Sequence, residues 1–112
     1  MSTLRQEKVS ELLRREFSTI IQRMEGDFLP GKMTTVTTVR ISPDLSFAKV
    51  YVSIFPTDDL AEDVAALKSF APQIRFELGK RVRHQLRIVP QFAFYGDDSL
   101  DYAEEIDQLL KE

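Results

Sequence analysis

The sequence predicts an α+β domain in two layers, with helices covering one face of a three-stranded sheet. Apolar residues recur at three- and four-residue spacing in segments 4–24, 74–86 and 99–111. In segments 34–42, 47–55 and 88–95 the residues are β-branched or alternate apolar with polar. The order that results is α-β-β-α-α-β with an added C-terminal helix. Helices on one sheet face bury all of these stripes together, and a crossover through the helix pair returns the third strand to the same sheet.

Segment 4–24 places Val9, Leu13, Phe17, Ile20, Ile21 and Met24 on one stripe, and Thr3 with Gln6 suits a capping box. Gly26, Pro30 and Gly31 then force a loop. The β-branched run 34–42 is a strand, and Ser42-Pro43-Asp44-Leu45 is a tight turn, since Pro presets φ and Asp bonds locally. In 47–55, Ala48, Val50, Val52 and Ile54 point one way and Phe47, Lys49, Tyr51, Ser53 and Phe55 the other, which pairs the two strands as a hairpin. Pro56 ends that strand, and Asp59 with Glu62 opens a helix over about 59–70. Pro72 breaks it and starts the next, whose stripe is Ile74, Leu78, Val82 and Leu86. A third strand follows over 88–95, with Phe92 and Phe94 on one face. Gly96-Asp97-Asp98 breaks it, and Asp98 caps a last helix over about 99–111.

Composition narrows the function. The 112 residues make one domain, 1–112, with an ordinary globular balance of 43% hydrophobic and 29% charged residues. No run of about 18 apolar residues exists to span a membrane, and the N-terminus lacks the apolar core of a secretory signal. Cys is absent, which excludes disulfides and thiolate chemistry and fits a reducing, cytoplasmic compartment. The net charge of −3 hides a split: residues 1–95 carry 14 bases and 11 acids, while residues 96–112 carry seven acids and one base. Local clusters set the field that a polyanion meets.

One such cluster is 75–87, RFELGKRVRHQLR. On a wheel of about 100° per residue, Lys80, Arg83 and Arg87 fall opposite the apolar stripe, with His84 at the border and Phe76 inside the arc. Arg75 and Arg81 flank the stripe, and Glu77 is the one acid. Cations around an exposed ring suit phosphate contacts with base stacking. Arg5, Lys8 and Arg15, with Arg23, line one flank of the first helix, which taken alone reads first as a solvated surface flank and would widen the patch if the two helices lie side by side. The sheet's other face offers Arg40, Lys49, Tyr51 and Tyr95, which reads first as a half-exposed face or one covered by the terminal helix, and second as a stacking surface. Catalysis finds little support, with one His, no Walker loop, no nucleophile elbow and no metal-ligand spacing. Asp97, Asp98 and Asp101 suit helix capping more than they suit magnesium.

Four stretches resemble the ribosome-binding factor A family. They are Arg5-Gln6-Glu7-Lys8-Val9 with Leu12-Leu13-Arg14-Arg15-Glu16; Ser42-Pro43-Asp44-Leu45-Ser46 with Ala48-Lys49-Val50-Tyr51-Val52-Ser53; Ile74-Arg75 with Leu78-Gly79-Lys80; and Leu86-Arg87-Ile88-Val89-Pro90 with Phe92 and Asp98-Ser99-Leu100. The resemblance spans about residues 5–110. It implies a type-II KH-like fold, no catalytic activity, and binding to the small ribosomal subunit and its RNA during late maturation. Processing of the RNA 5′ end and growth in the cold are implied with it. No cofactor, metal or small-molecule substrate is expected, and the chain is expected to act as a monomer. Where the family carries Ala-x-Gly at its helix kink, this chain has Phe70-Ala71-Pro72. Pro keeps the kink but does not supply the backbone freedom of Gly. The loop from Gly26 to Met33 also departs from the family's pattern.

The rival from another class is a protein-interaction module that docks through a sheet edge or the C-terminal helix. A third reading is a magnesium-dependent nuclease using Asp98.

Overall fold

The computed structural model describes residues 3–24 and 29–97. The first helix, α1 (Leu4–Arg23), is closed at its start by the expected box: Thr3 Oγ1 accepts from the Gln6 N–H, and Gln6 Oε1 accepts from the Thr3 N–H. Its buried stripe is Val9, Leu13, Phe17, Ile20 and Ile21. Gln6 is buried beside them and donates Nε2–H to the Ile41 carbonyl at 3.3 Å, which ties the helix start to the sheet.

Strands β1 (Met33–Ile41) and β2 (Phe47–Phe55) form the expected antiparallel hairpin. The turn between them is held by Asp44, whose Oδ1 accepts from the hydroxyls of Ser42 and Ser46 and from the Ser46 N–H. Leu45 takes a left-handed φ of 63°, which costs a residue with a Cβ about 1–2 kcal/mol. Its side chain packs against the core, which offsets that strain. In β2 the alternation is clean, with Ala48, Val50, Val52 and Ile54 all buried. In β1 it changes phase. Thr34 and Val36 point inward, the register shifts between Val36 and Thr38, and Val39 and Ile41 point inward beyond it. Thr37 is the extra residue of this bulge.

Helix α2 (Leu60–Lys68) starts at Asp59, which accepts from the Glu62 N–H. It ends in a turn where the N–H groups of Ser69 and Phe70 reach the carbonyls of Ala66 and Leu67. Helix α3 (Ala71–Val82) follows at once with Pro72 in its first turn, so the kink forms as expected. Phe70 bridges the two with a φ of −97°, an ordinary right-handed value. Strand β3 (Gln91–Gly96) then pairs with β2 in parallel, giving the order β1-β2-β3.

Two expected boundaries need correction. Helix α3 ends at Val82 and does not run on to Leu86, and the third strand does not begin at residue 88. Gln85 and Leu86 both donate to the Val82 carbonyl, which closes a turn and reverses the chain. That reversal is needed to lay β3 parallel to β2. Pro90 has no N–H to give a ladder, so pairing begins only at Gln91. The predicted C-terminal helix, with Asp98 as its cap, lies outside the described residues.

The helices cover one sheet face: α1 lies on β1, α2 on β2 and β3, and α3 against α1. The core meets at Phe17, whose ring stands edge-on to Phe92 at 5.0 Å and to Phe94 at 6.1 Å.

Candidate nucleic-acid interface

Helix α3 buries Ile74, Leu78 and Val82, so Phe76 and Lys80 must face outward. Phe76 is 67% exposed, and the Lys80 ammonium sits 4.8 Å from its ring centroid. Arg83 continues the turn with helical backbone angles and is exposed. These three side chains line a shallow groove together with Arg75, Gly79 and Val89.

The bases do not all remain open. Arg81 Nε donates to Glu16 on α1 at 2.5 Å, with both side chains largely covered. Arg75 donates to the carbonyls of Pro90 at 3.0 Å and Val89 at 3.4 Å. These two guanidiniums fasten α3 to its neighbours. Lys80 reaches Glu77 at 3.1 Å, a solvent-exposed pair of the kind worth about 0–1 kcal/mol, which an incoming phosphate can replace.

Arg83, His84 and Arg87 are exposed, but the wheel that grouped them is interrupted. Arg83 and His84 lie in the turn after Val82, and Arg87 lies in the bend before Pro90. Arg87 still joins the basic surface by another route. It lines a depression of about 300 Å³ with Arg5 of α1, Leu86, Ile88 and Ser46. The Arg81–Glu16 bond brings α1 against α3, and Arg5, Lys8 and Arg15 of α1 are exposed. Among the described residues, Arg5, Lys8, Arg15, Arg83 and Arg87 are exposed and have no ion pair.

Ile88 is the residue that sequence reasoning missed. It is 76% exposed at the rim of the Arg5–Arg87 depression. The signal was Pro90, which marks the preceding residues as unpaired chain rather than strand. Asp44 lines the same depression and is the local anion; its hydrogen bonds from Ser46 and Ser42 hold its carboxyl down to about 2.

An α-β-β-α-α-β domain with helices on one side of a mixed sheet, and cations ranged around an exposed phenylalanine, is a KH-like α+β module. The chain belongs to the ribosome-binding factor A family, whose model, Ribosome-binding factor A, matches residues 5–110. A relative of that name from Christiangramia forsetii is 39% identical over 110 residues, covering 97% of this chain and 84% of the relative. The crystal structure of ribosome-binding factor A from Thermus thermophilus superimposes with a TM-score of 0.68 at 27% identity, covering 81% of this chain and 94% of that one. A Thermus thermophilus homology model of the factor, fitted into a cryo-EM map of a 30S complex, gives 0.63 at 30% identity over 80% of this chain and 91% of that one.

Proposed function

We propose that this protein is a non-enzymatic, cytoplasmic factor that binds the small ribosomal subunit and its RNA during late maturation and assists processing of the RNA 5′ end. The Thermus relative fitted into a 30S complex supports the choice of partner. The observation that supports the mechanism is the exposed cluster of Lys80 and Arg83 around the Phe76 ring, with Arg87 and Arg5 lining a second depression; in this reading Lys8 and Arg15 extend these into one cationic ridge. Phosphates would replace the weak Lys80–Glu77 pair and neutralise the unpaired guanidiniums, while Phe76 takes a base edge or ring. His84 stands at the margin, with Arg75 and Arg81 supporting the ridge from beneath. No step in this reading requires bond breaking by the protein.

Counterion release then sets a log–log salt slope of about −0.7 to −0.9 per phosphate neutralised. Replacing Lys80 and Arg83 with Glu is expected to weaken co-sedimentation with free small subunits by on the order of tenfold or more at physiological salt and to flatten that slope. Unchanged binding with an intact circular dichroism spectrum overturns the assignment.

A further inference from the structure

The sheet has a second face that no described helix covers. On it, Arg40 of β1 stands directly opposite Lys49 of β2 in the antiparallel register, and both are exposed. Two like charges facing each other across a strand pair destabilise a sheet unless an anion joins them. Beside them, Tyr51 of β2 is paired with Tyr95 of β3, ring centroids 5.6 Å apart and planes 32° from parallel. The Arg40 guanidinium lies 5.9 Å from the Tyr51 centroid, and the Lys68 ammonium lies 6.0 Å from the Tyr95 centroid. The order across the sheet is therefore cation, ring, ring, cation, with Lys49 alongside. Among the described residues the acid next to this row is Asp97, and its carboxylate accepts from the Thr37 hydroxyl.

We propose that this open face is a second nucleic-acid surface, which holds single-stranded RNA by stacking unpaired bases on Tyr51 and Tyr95 and pairing phosphates with Arg40, Lys49 and Lys68. The surface lies on the opposite side of the sheet from the helical ridge. It rests on the RNA-binding reading given above and adds to it a preference for unpaired strand. A duplex hides its ring faces within its own stack, so it gains only the charge contacts here. Long cationic side chains at about 6 Å from the rings swing aside at little cost, because cation–π contacts at exposed sites are weak.

The chain has no Trp and three Tyr, so its intrinsic fluorescence reports on Tyr51, Tyr95 and Tyr102. The test uses the full chain carrying Tyr102→Phe, which leaves only the two platform rings as reporters. A short single-stranded oligoadenylate is expected to quench this emission, and an RNA duplex of equal length is not. Tyr51→Ala and Tyr95→Ala are each expected to weaken oligoadenylate binding about tenfold. Lys49→Glu is expected to raise the melting temperature of the free protein, by pairing with Arg40, while it lowers RNA affinity. A merely structural pair of tyrosines does not give that opposition of signs. Emission that is already quenched in the free chain and indifferent to RNA means that another part of the chain, such as its acidic end, occupies the face, and this overturns the proposal. Undiminished binding in the two tyrosine variants, with intact circular dichroism, also overturns it. Lys80→Glu with Arg83→Glu separates the two surfaces: if subunit binding survives in that variant, the ridge reading fails, whereas loss of quenching in Tyr51→Ala bears on the open face alone.

Discussion

Gly79 lies inside α3 at the floor of the groove beneath Phe76, Lys80 and Arg83. A Cβ there meets only Val89 Cγ2, at 3.9 Å, which is ordinary contact. Nothing in the packing therefore demands glycine, and a helix interior with Gly is about 0.5–1 kcal/mol less stable than one with Ala. Gly79→Ala is expected to raise the urea midpoint accordingly. It is expected also to weaken RNA binding, since the missing side chain lets a strand approach the helix backbone between the cations. The opposite case is Gly96, where a Cβ stands 2.7 Å from Leu60 Cδ2. Gly96 is explained by its neighbours, whereas nothing in the packing explains Gly79, a distinction that only coordinates reveal.

At the scale of elements, two carboxylates fasten loops that would otherwise be loose. Asp44 holds the β1–β2 turn, and its carboxyl is pulled down to about 2 by Ser46 and Ser42. Asp63 of α2 accepts Lys32 at 2.7 and 2.8 Å and also the Thr57 hydroxyl, which together hold its carboxyl below the ordinary range. Both groups bind protons less readily folded than unfolded. Their stabilisation is complete above the unfolded carboxylate pKa of about 3.9 and fades as pH falls below it. The urea midpoint is expected to drop as pH falls from about 4 to about 2, and Asp63→Asn is expected to make that decline shallower. Most of these elements were legible in the sequence. The Thr3–Gln6 box, the Asp59 cap, the Pro72 break and the strict alternation of 47–55 are all local signals. What escaped was decided by tertiary contacts. Helix α3 stops at Val82 because the chain must reverse toward β2; Arg83 still falls where the wheel puts it, beside Phe76 and Lys80, but the wheel carried past that point misplaced His84 and Arg87. The spacing of Val36 and Val39 fits no regular strand until Thr37 is set aside as a bulge. Arg75 and Arg81 read as free cations because their partners, two backbone carbonyls and Glu16, are distant in sequence.

Taken whole, the domain divides its labour between a buried half that builds and open surfaces that carry charge. Phe17 joins the halves of the core, since it reaches from the first helix to Phe92 and Phe94 of the last strand. Phe17→Ala is expected to cost about 3–5 kcal/mol, visible as a large loss in melting temperature. The parallel pairing of β3 with β2 has a consequence for how the polypeptide is made. Synthesis delivers the hairpin early, with one border of β2 unsatisfied, and delivers its neighbour only at Gln91–Gly96. A nascent chain thus carries a half-finished sheet, with one border of β2 open, until Gln91–Gly96 emerges. Sequence-distant pairings of this kind close slowly, so the growing chain is most exposed to aggregation just before β3 emerges.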